Sequence, residues 1–194
     1  MSSDFFKHDH YFIDEKVALF ANTYKVYNEN GDQIGTIKQM MPGYLKVLSL
    51  FLNKAVFPFK LDIINAEEQV LVTIKRGWTL FISKIEIIGP EKNVIARINQ
   101  KFKMFKPTFN IVDANGNSVA TITGDWKAWN FVITDNNNNQ IGTVTKKWGG
   151  VLREAFTTAD KYIVSINPGV DSGINRIAVV ATAVTIDMVL KESK

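Results

Sequence analysis

Apolar and polar residues alternate through most of this chain, and clusters of Asn, Asp and Gly interrupt the alternation at recurring intervals. The repeated unit is a strand, a tight turn and a second strand. It occurs at Tyr24–Lys38, Leu61–Lys75, Ile85–Ile98, Phe109–Ile122 and Phe131–Val144. A two-residue period turns one face of each strand inward, and Asn-Gly or Asn-Asn tolerates the positive φ of a tight connection. The turn-entry residues Gly89, Asp113 and Asp135 are spaced by 24 (113 − 89) and 22 (135 − 113). Each unit holds two strands, whereas a propeller blade needs four over about 40 residues. Consecutive hairpins without helical crossovers predict an antiparallel meander, which removes its exposed edges by closing into a barrel. A barrel of about ten to twelve strands leaves space inside.

One segment can fill that space. Ile177-Ala-Val-Val-Ala-Thr-Ala-Val-Thr-Ile-Asp-Met-Val-Leu190 reads as an apolar helix. At a rise of about 1.5 Å per residue it spans roughly 21 Å, short of a hydrocarbon layer of roughly 30 Å. Asp187 would be costly at a bilayer centre. The segment is therefore expected to be a core helix over about residues 175–190. The domain expectation is an N-terminal segment, 1–20, and a single barrel domain, 21–194.

Two stretches depart from the hairpin pattern. Tyr44 to Val56, bracketed by Pro42 and Pro58, predicts an amphipathic helix with Leu45, Leu48, Leu52 and Val56 on one face. Such a helix either packs its apolar face on the barrel or lies in a membrane interface, inserting Phe51, Phe57 and Phe59. Trp148 to Asp160 predicts a short helix before a last strand, Lys161–Ile166.

Composition narrows the class further. The chain has 194 residues, 46% hydrophobic and 22% charged, enough for one sizeable core. Thirteen Phe and four Trp suit β-sheet surfaces. There is no Cys, which excludes disulfides, thiolate catalysis and palmitoylation. Met1 to His10 is polar and lacks a secretory pattern, so a cytoplasmic location is expected. A net charge of +4 favours an anionic partner.

Candidate chemistry is sparse. No Gly-x-Ser-x-Gly elbow, phosphate-binding loop or His-Glu-x-x-His is present, and no enzymatic activity is expected. His8-Asp9-His10 has the side chains for a metal, but His near a chain start is ordinarily solvated. Asp113 with Asn115, and Asp135 with Asn136 to Asn139, resemble ligand clusters. Hairpin turns favour the same residue types for their backbone alone. Lys127, Lys146, Lys147 and Arg153 could line a phosphate-binding patch or a solvated rim. Trp126, Trp129 and Trp148 could stack on bases, although such residues more often build a barrel wall, and no nucleic-acid partner is expected.

The stretch Lys146-Lys-Trp-Gly-Gly-Val-Leu-Arg-Glu-Ala-Phe-Thr-Thr-Ala-Asp160, followed by a strand and an apolar helix, closely resembles the phospholipid scramblases. So does the upstream order of Lys75-Arg-Gly-Trp-Thr-Leu-Phe81, Gln100-Lys-Phe102 and Gly124-Asp-Trp126. The resemblance covers most of residues 35 to 190. It extends to the plant LURP-one-like proteins and the tubby C-terminal domain. It implies a mainly β fold, a closed antiparallel barrel of about twelve strands around a central hydrophobic C-terminal helix.

The family is associated with calcium-activated movement of phospholipids between leaflets. Its calcium loop has the form Asp-x-Asp-Asn-Phe-Gly, which here reads Thr158-Ala-Asp160-Lys161-Tyr162-Ile163. Only the second Asp remains, and a Lys cation inside a shell of six to eight oxygens opposes calcium. Asp160 is thus the one candidate metal position, better suited to a cap or turn. No cofactor is expected, and calcium is the one the resemblance brings into question.

Two functional expectations follow. The first is a scramblase-like protein, peripheral at the membrane, that binds phospholipid or moves it across the bilayer. Its partner is an anionic phospholipid surface, met by Tyr44, Lys46, Phe51, Lys54, Phe57, Phe59, Lys146, Lys147 and Arg153. The alternative is a soluble, non-enzymatic scaffold or ligand-sensing module of the LURP-one-related type.

Overall fold

The computed structural model describes residues 4–16, 21–48, 56–78, 84–101, 108–125, 127, 129–146, 161–170 and 173–192. Within them the chain forms a closed antiparallel barrel of twelve strands. The strands are β1 (His10–Lys16), β2 (Thr23–Tyr27), β3 (Gln33–Met40), β4 (Phe59–Asn65), β5 (Val70–Arg76) and β6 (Lys84–Ile88). They continue as β7 (Val94–Lys101), β8 (Thr108–Asp113), β9 (Ser118–Asp125), β10 (Asn130–Asp135), β11 (Gln140–Thr145) and β12 (Lys161–Ile166). Each strand pairs with its sequence neighbours, and β1 closes the ring on β12, with Phe12 opposite Ile163.

The division expected at residue 20 is corrected here. β1 lies before it yet pairs with β12 on one side and β2 on the other. Its Tyr11 and Ile13 alternate inward and are fully buried, so the barrel cannot close without this segment.

Five hairpins share one turn. In each, the entry residue's N–H donates to the carbonyl four residues on, and its own carbonyl accepts from the residue three on. Entry residues are Asn28, Asn65, Gly89, Asp113 and Asp135. The left-handed position is filled by Gly31, Glu68, Lys92, Gly116 and Asn138, with φ between 60° and 90°. A register shift follows in every case, as between Ile87 and Ile88. This is a type I turn closed by a bulge, and the bulge adds local twist.

The inward positions repeat as well. The first on each returning strand is Gly35, Val72, Ala96, Ala120 or Gly142, and the next is Ile37, Ile74, Ile98, Ile122 or Val144. Small residues near the turns leave room beside the axis. That axis is occupied by α2 (Ile174–Glu192). From Ala178 to Val189 every residue of α2 is buried, so this stretch of the helix has no solvent face. Among the described residues no helix is long and apolar enough to cross a membrane.

The two ends of the barrel differ. One carries the five tight turns, the 3₁₀ turn Asp4–Lys7 and the entry to α2. There Arg176 donates to the carbonyls of Val170 and His8 and pairs with Asp9 at 2.7 Å, fixing the start of the helix. The other end carries the longer connections, and β2 begins there, beside the last turns of α2.

Candidate functional site

The longer connections assemble the rim of interest. α1 (Gly43–Leu48) follows Pro42, whose carbonyl accepts from the N–H groups of Leu45 and Lys46. Of the helix expected over Tyr44–Val56, Tyr44–Leu48 are α-helical and lie in α1. The chain is no longer α-helical at Val56, and Phe57, which precedes Pro58, is disfavoured from the α region. Residues 49–55, with Phe51 and Lys54, lie outside the described residues.

α1 buries Leu45 alone. Tyr44 and Val47 are 63% and 60% exposed, and Leu48 is exposed beside them. Met40, at the end of β3, and Trp78, just past β5, are exposed too. These five residues and Val70 are the large exposed hydrophobics of the described chain, and only Val70 stands at the turn end. Isolated exposed apolar residues are ordinary, whereas their concentration on one rim is not.

Two expected contacts are overturned. Phe57 and Phe59 are buried, not available for insertion. Phe59 opens β4 on its inward face, where Arg76 lies 4.6 Å over its ring. Arg76, itself buried, also donates to the Phe57 carbonyl at 2.5 Å. Phe57 packs its ring against Trp78 at 5.3 Å, so it supports an exposed indole instead of being one. Aromatic residues beside a proline read alike in sequence whether they brace a rim or protrude from it.

The cations of this rim have different surroundings. Lys146 sits 4.2 Å over the Trp129 ring, a cation–π contact within the rim. Trp129 in turn packs on Phe131 and Tyr162, a wall residue as expected of its type. Lys147, Arg153 and Asp160, and the helix expected over Trp148–Asp160, lie outside the described residues. Lys161, beside Asp160, is buried and lies 3.7 Å from Asp14. Lys46 is half-buried on α1.

Sequence reasoning missed Met40, Val47 and Trp78, and also a basic row on the outer wall. Lys60 faces Lys75 across β4 and β5, Lys75 faces Glu86, and Glu86 faces Arg97. Strand alternation places these side chains outward, but their convergence depends on register across four strands.

The other candidates resolve into scaffolding. Asp113 Oδ1 accepts from the N–H groups of Asn115 and Asn117, and Asp135 Oδ1 from those of Asn137 and Asn139. Side-chain bonds from Asn117 and Asn139, with these amides, hold both carboxyls below the usual aspartate value. His8 lies 3.4 Å from Glu29, Asp9 binds Arg176 and His10 contacts Ser165, so the His-Asp-His run is pulled to three separate partners. Among the described residues no three His, Cys, Asp or Glu side chains converge on a metal position.

Comparison with solved structures agrees with the barrel. The X-ray structure of a protein from Arabidopsis thaliana superposes with a TM-score of 0.53, covering 91% of both chains at 8% identity, which speaks to fold alone. No curated protein matches the sequence. The family model named Scramblase matches residues 18–193, nearly the whole barrel and its central helix. This chain belongs to the scramblase family.

Proposed function

We propose that the protein docks peripherally on anionic phospholipid membranes through the rim of longer connections, where it binds phospholipid or moves it between leaflets. The observation that carries this reading is the placement of Met40, Tyr44, Val47, Leu48 and Trp78 on one rim, interleaved with Lys46, Lys60, Lys75 and Lys84. Apolar and aromatic tips enter the headgroup boundary while lysines meet anionic lipid, and neither alone holds a protein well. Family membership supports lipid as the partner. The central helix is committed to the core, so membrane contact falls to the rim, on the cytoplasmic side. Because Thr158 and Lys161 stand where the family's calcium loop carries Asp and Asn, binding is proposed to be independent of calcium.

Flotation with phosphatidylserine-containing vesicles tests the reading. The full chain should float, Tyr44→Ser with Trp78→Ala should not, and calcium should change neither result. A fluorescent-lipid scrambling assay in reconstituted vesicles then separates binding from transport. Failure of the full chain to float at low salt would refute membrane docking and favour a soluble scaffold.

A further inference from the structure

At the turn end, opposite the docking rim, the 3₁₀ turn Asp4–Lys7 and the first three tight hairpins border an open cleft of about 860 Å³. Ile34, Val70, Leu71 and Pro90 supply its apolar lining, and Asp4 and Glu67 its carboxylates. Among the described residues no Lys or Arg lines it. His8 is the one basic side chain there, and it lies 3.4 Å from Glu29. We infer that this cleft docks a short extended segment of a partner protein, one that carries Lys or Arg beside one or two apolar side chains. The site is separate from the membrane-docking rim and stands whether or not that reading holds.

The hairpin geometry makes the apolar part. In each of the five hairpins the register shift inserts one extra residue on the returning strand: Ile34, Leu71, Ile95, Val119 or Ile141. Pairing of β3 with β4 sets the first two hairpins side by side, which brings Ile34 and Leu71 to one cleft. Val70 lies next to them, 48% exposed, the large exposed hydrophobic of this end. Three apolar side chains and a proline from three hairpins form a surface that a partner's apolar side chains can cover.

The charge here is opposite to that of the chain. The protein carries +4 overall, yet Glu29, Glu68 and Glu91 occupy the turns that border the cleft, beside Asp4 and Glu67 within it. Lys7 is tied to Asp4 at 2.6 Å, and Lys92 follows Glu91 in its turn. Glu67 has no ion-pair partner among the described residues. An apolar strip bordered by carboxylates repels anionic membranes and nucleic acids and complements a cationic peptide. A cleft of this volume takes a few side chains. Successive side chains of an extended segment point to opposite sides, so apolar residues enter the cleft while the basic residues between them reach the carboxylates.

The test titrates the full chain with the peptide Lys-Leu-Arg-Leu-Lys, blocked at both ends, and follows the backbone amides. Shifts should localise to Ile34, Glu67, Val70 and Leu71. Lys-Gly-Arg-Gly-Lys keeps only the charge and Glu-Leu-Gln-Leu-Glu only the apolar side chains, and each should bind about tenfold more weakly. Glu67→Gln/Val70→Ser should also lose about tenfold in affinity for the first peptide. Glu86→Gln/Val132→Ser, which removes the same groups from the outer wall, should stay within about twofold. The rim variant Tyr44→Ser/Trp78→Ala should bind peptide as the parent does, so this outcome is independent of vesicle flotation. Equal binding of the two basic peptides, shifts spread over the whole turn end, or equal weakening by the Glu67 and Glu86 variants would overturn the site. Concentration-dependent shifts of the same amides without peptide would place a second copy of the chain in the cleft and refute the partner segment.

Discussion

Inside the barrel the Tyr24 hydroxyl donates to the Asp187 carboxylate at 3.1 Å. Both residues are fully buried, one on the wall and one on the plug. A charge in a core helix is costly unless it is hydrogen-bonded, so this contact fixes how far α2 slides along the axis. Tyr24→Phe should cost about 1–3 kcal/mol in urea unfolding. Tyr162 is the useful contrast. Its buried hydroxyl has no hydrogen-bond partner among the described residues, so Tyr162→Phe should be close to neutral or stabilising. Equal losses from the two variants would contradict this assignment.

Alkaline pH offers a second test of the same interior. Burial raises the pKa of Tyr24 and Tyr162, and the nearby Asp187 charge adds to both shifts. Burial also raises Tyr11, partly opposed by Arg176. The native state therefore keeps protons that the unfolded chain gives up above a pKa of about 10. This stability is complete below pH 10 and is lost as pH climbs toward the native values. Stability at pH 11 should therefore be lower than at pH 8, because unfolding releases protons that the three buried hydroxyls retain. Chemical denaturation at pH 8 and pH 11 measures it, and a flat profile would show that these hydroxyls are not sequestered.

Removing the plug should remove the fold. Without residues 174–194 the inward isoleucines of the wall have nothing to pack against, and the truncated chain is expected to be insoluble. A soluble, monomeric truncation with native-like circular dichroism would show that the barrel closes without α2.

Gly35 is set by proximity, not by φ. A Cβ there would meet the Ile64 carbonyl oxygen and lie 2.8 Å from the Phe5 ring. Gly35→Ala should destabilise by about 1–3 kcal/mol and loosen the 3₁₀ turn that covers this end. Gly43→Ala meets open space and should be neutral or mildly stabilising. Thermal unfolding of the pair distinguishes crowding from a general aversion to alanine.

The left-handed turn positions predict gains. Glu68 and Lys92 hold φ of 60° and 62°, which strains an L side chain. Lys92→Gly and Glu68→Gly should each raise stability by about 0.5–1 kcal/mol, after allowing for the entropy of glycine in the unfolded chain. Gly116→Ala, at φ 90°, should do the reverse.

Much of this architecture was legible because its signals are local. Asn-Asp-Gly turns and strict alternation mark the five hairpins without knowledge of any partner. An apolar run with no polar face marks the helix as interior. β1 is hard to read from sequence because no such turn joins it to β2, and its second partner, β12, lies about 150 residues away. The burial of Phe57 and Phe59 is not legible in the same way, because hydrophobicity alone does not say which side of a rim a ring occupies. Lys60, Lys75 and Arg97 each look like ordinary outward strand residues. Only the pairing register brings them into one row, and register is decided by the whole ring.

The five bulged turns also determine where this chain is free to change. Lengthening any of them by one residue would slip a strand by one place and exchange its inner and outer faces. The connections at the opposite rim join strands of different hairpins and are not held to this bulged-turn geometry, so their length is less tightly tied to the faces of the strands. Diversification in ligand or membrane preference is thereby channelled to one pole of the molecule, and the protein can acquire new surface specificity without disturbing the packing that keeps it folded.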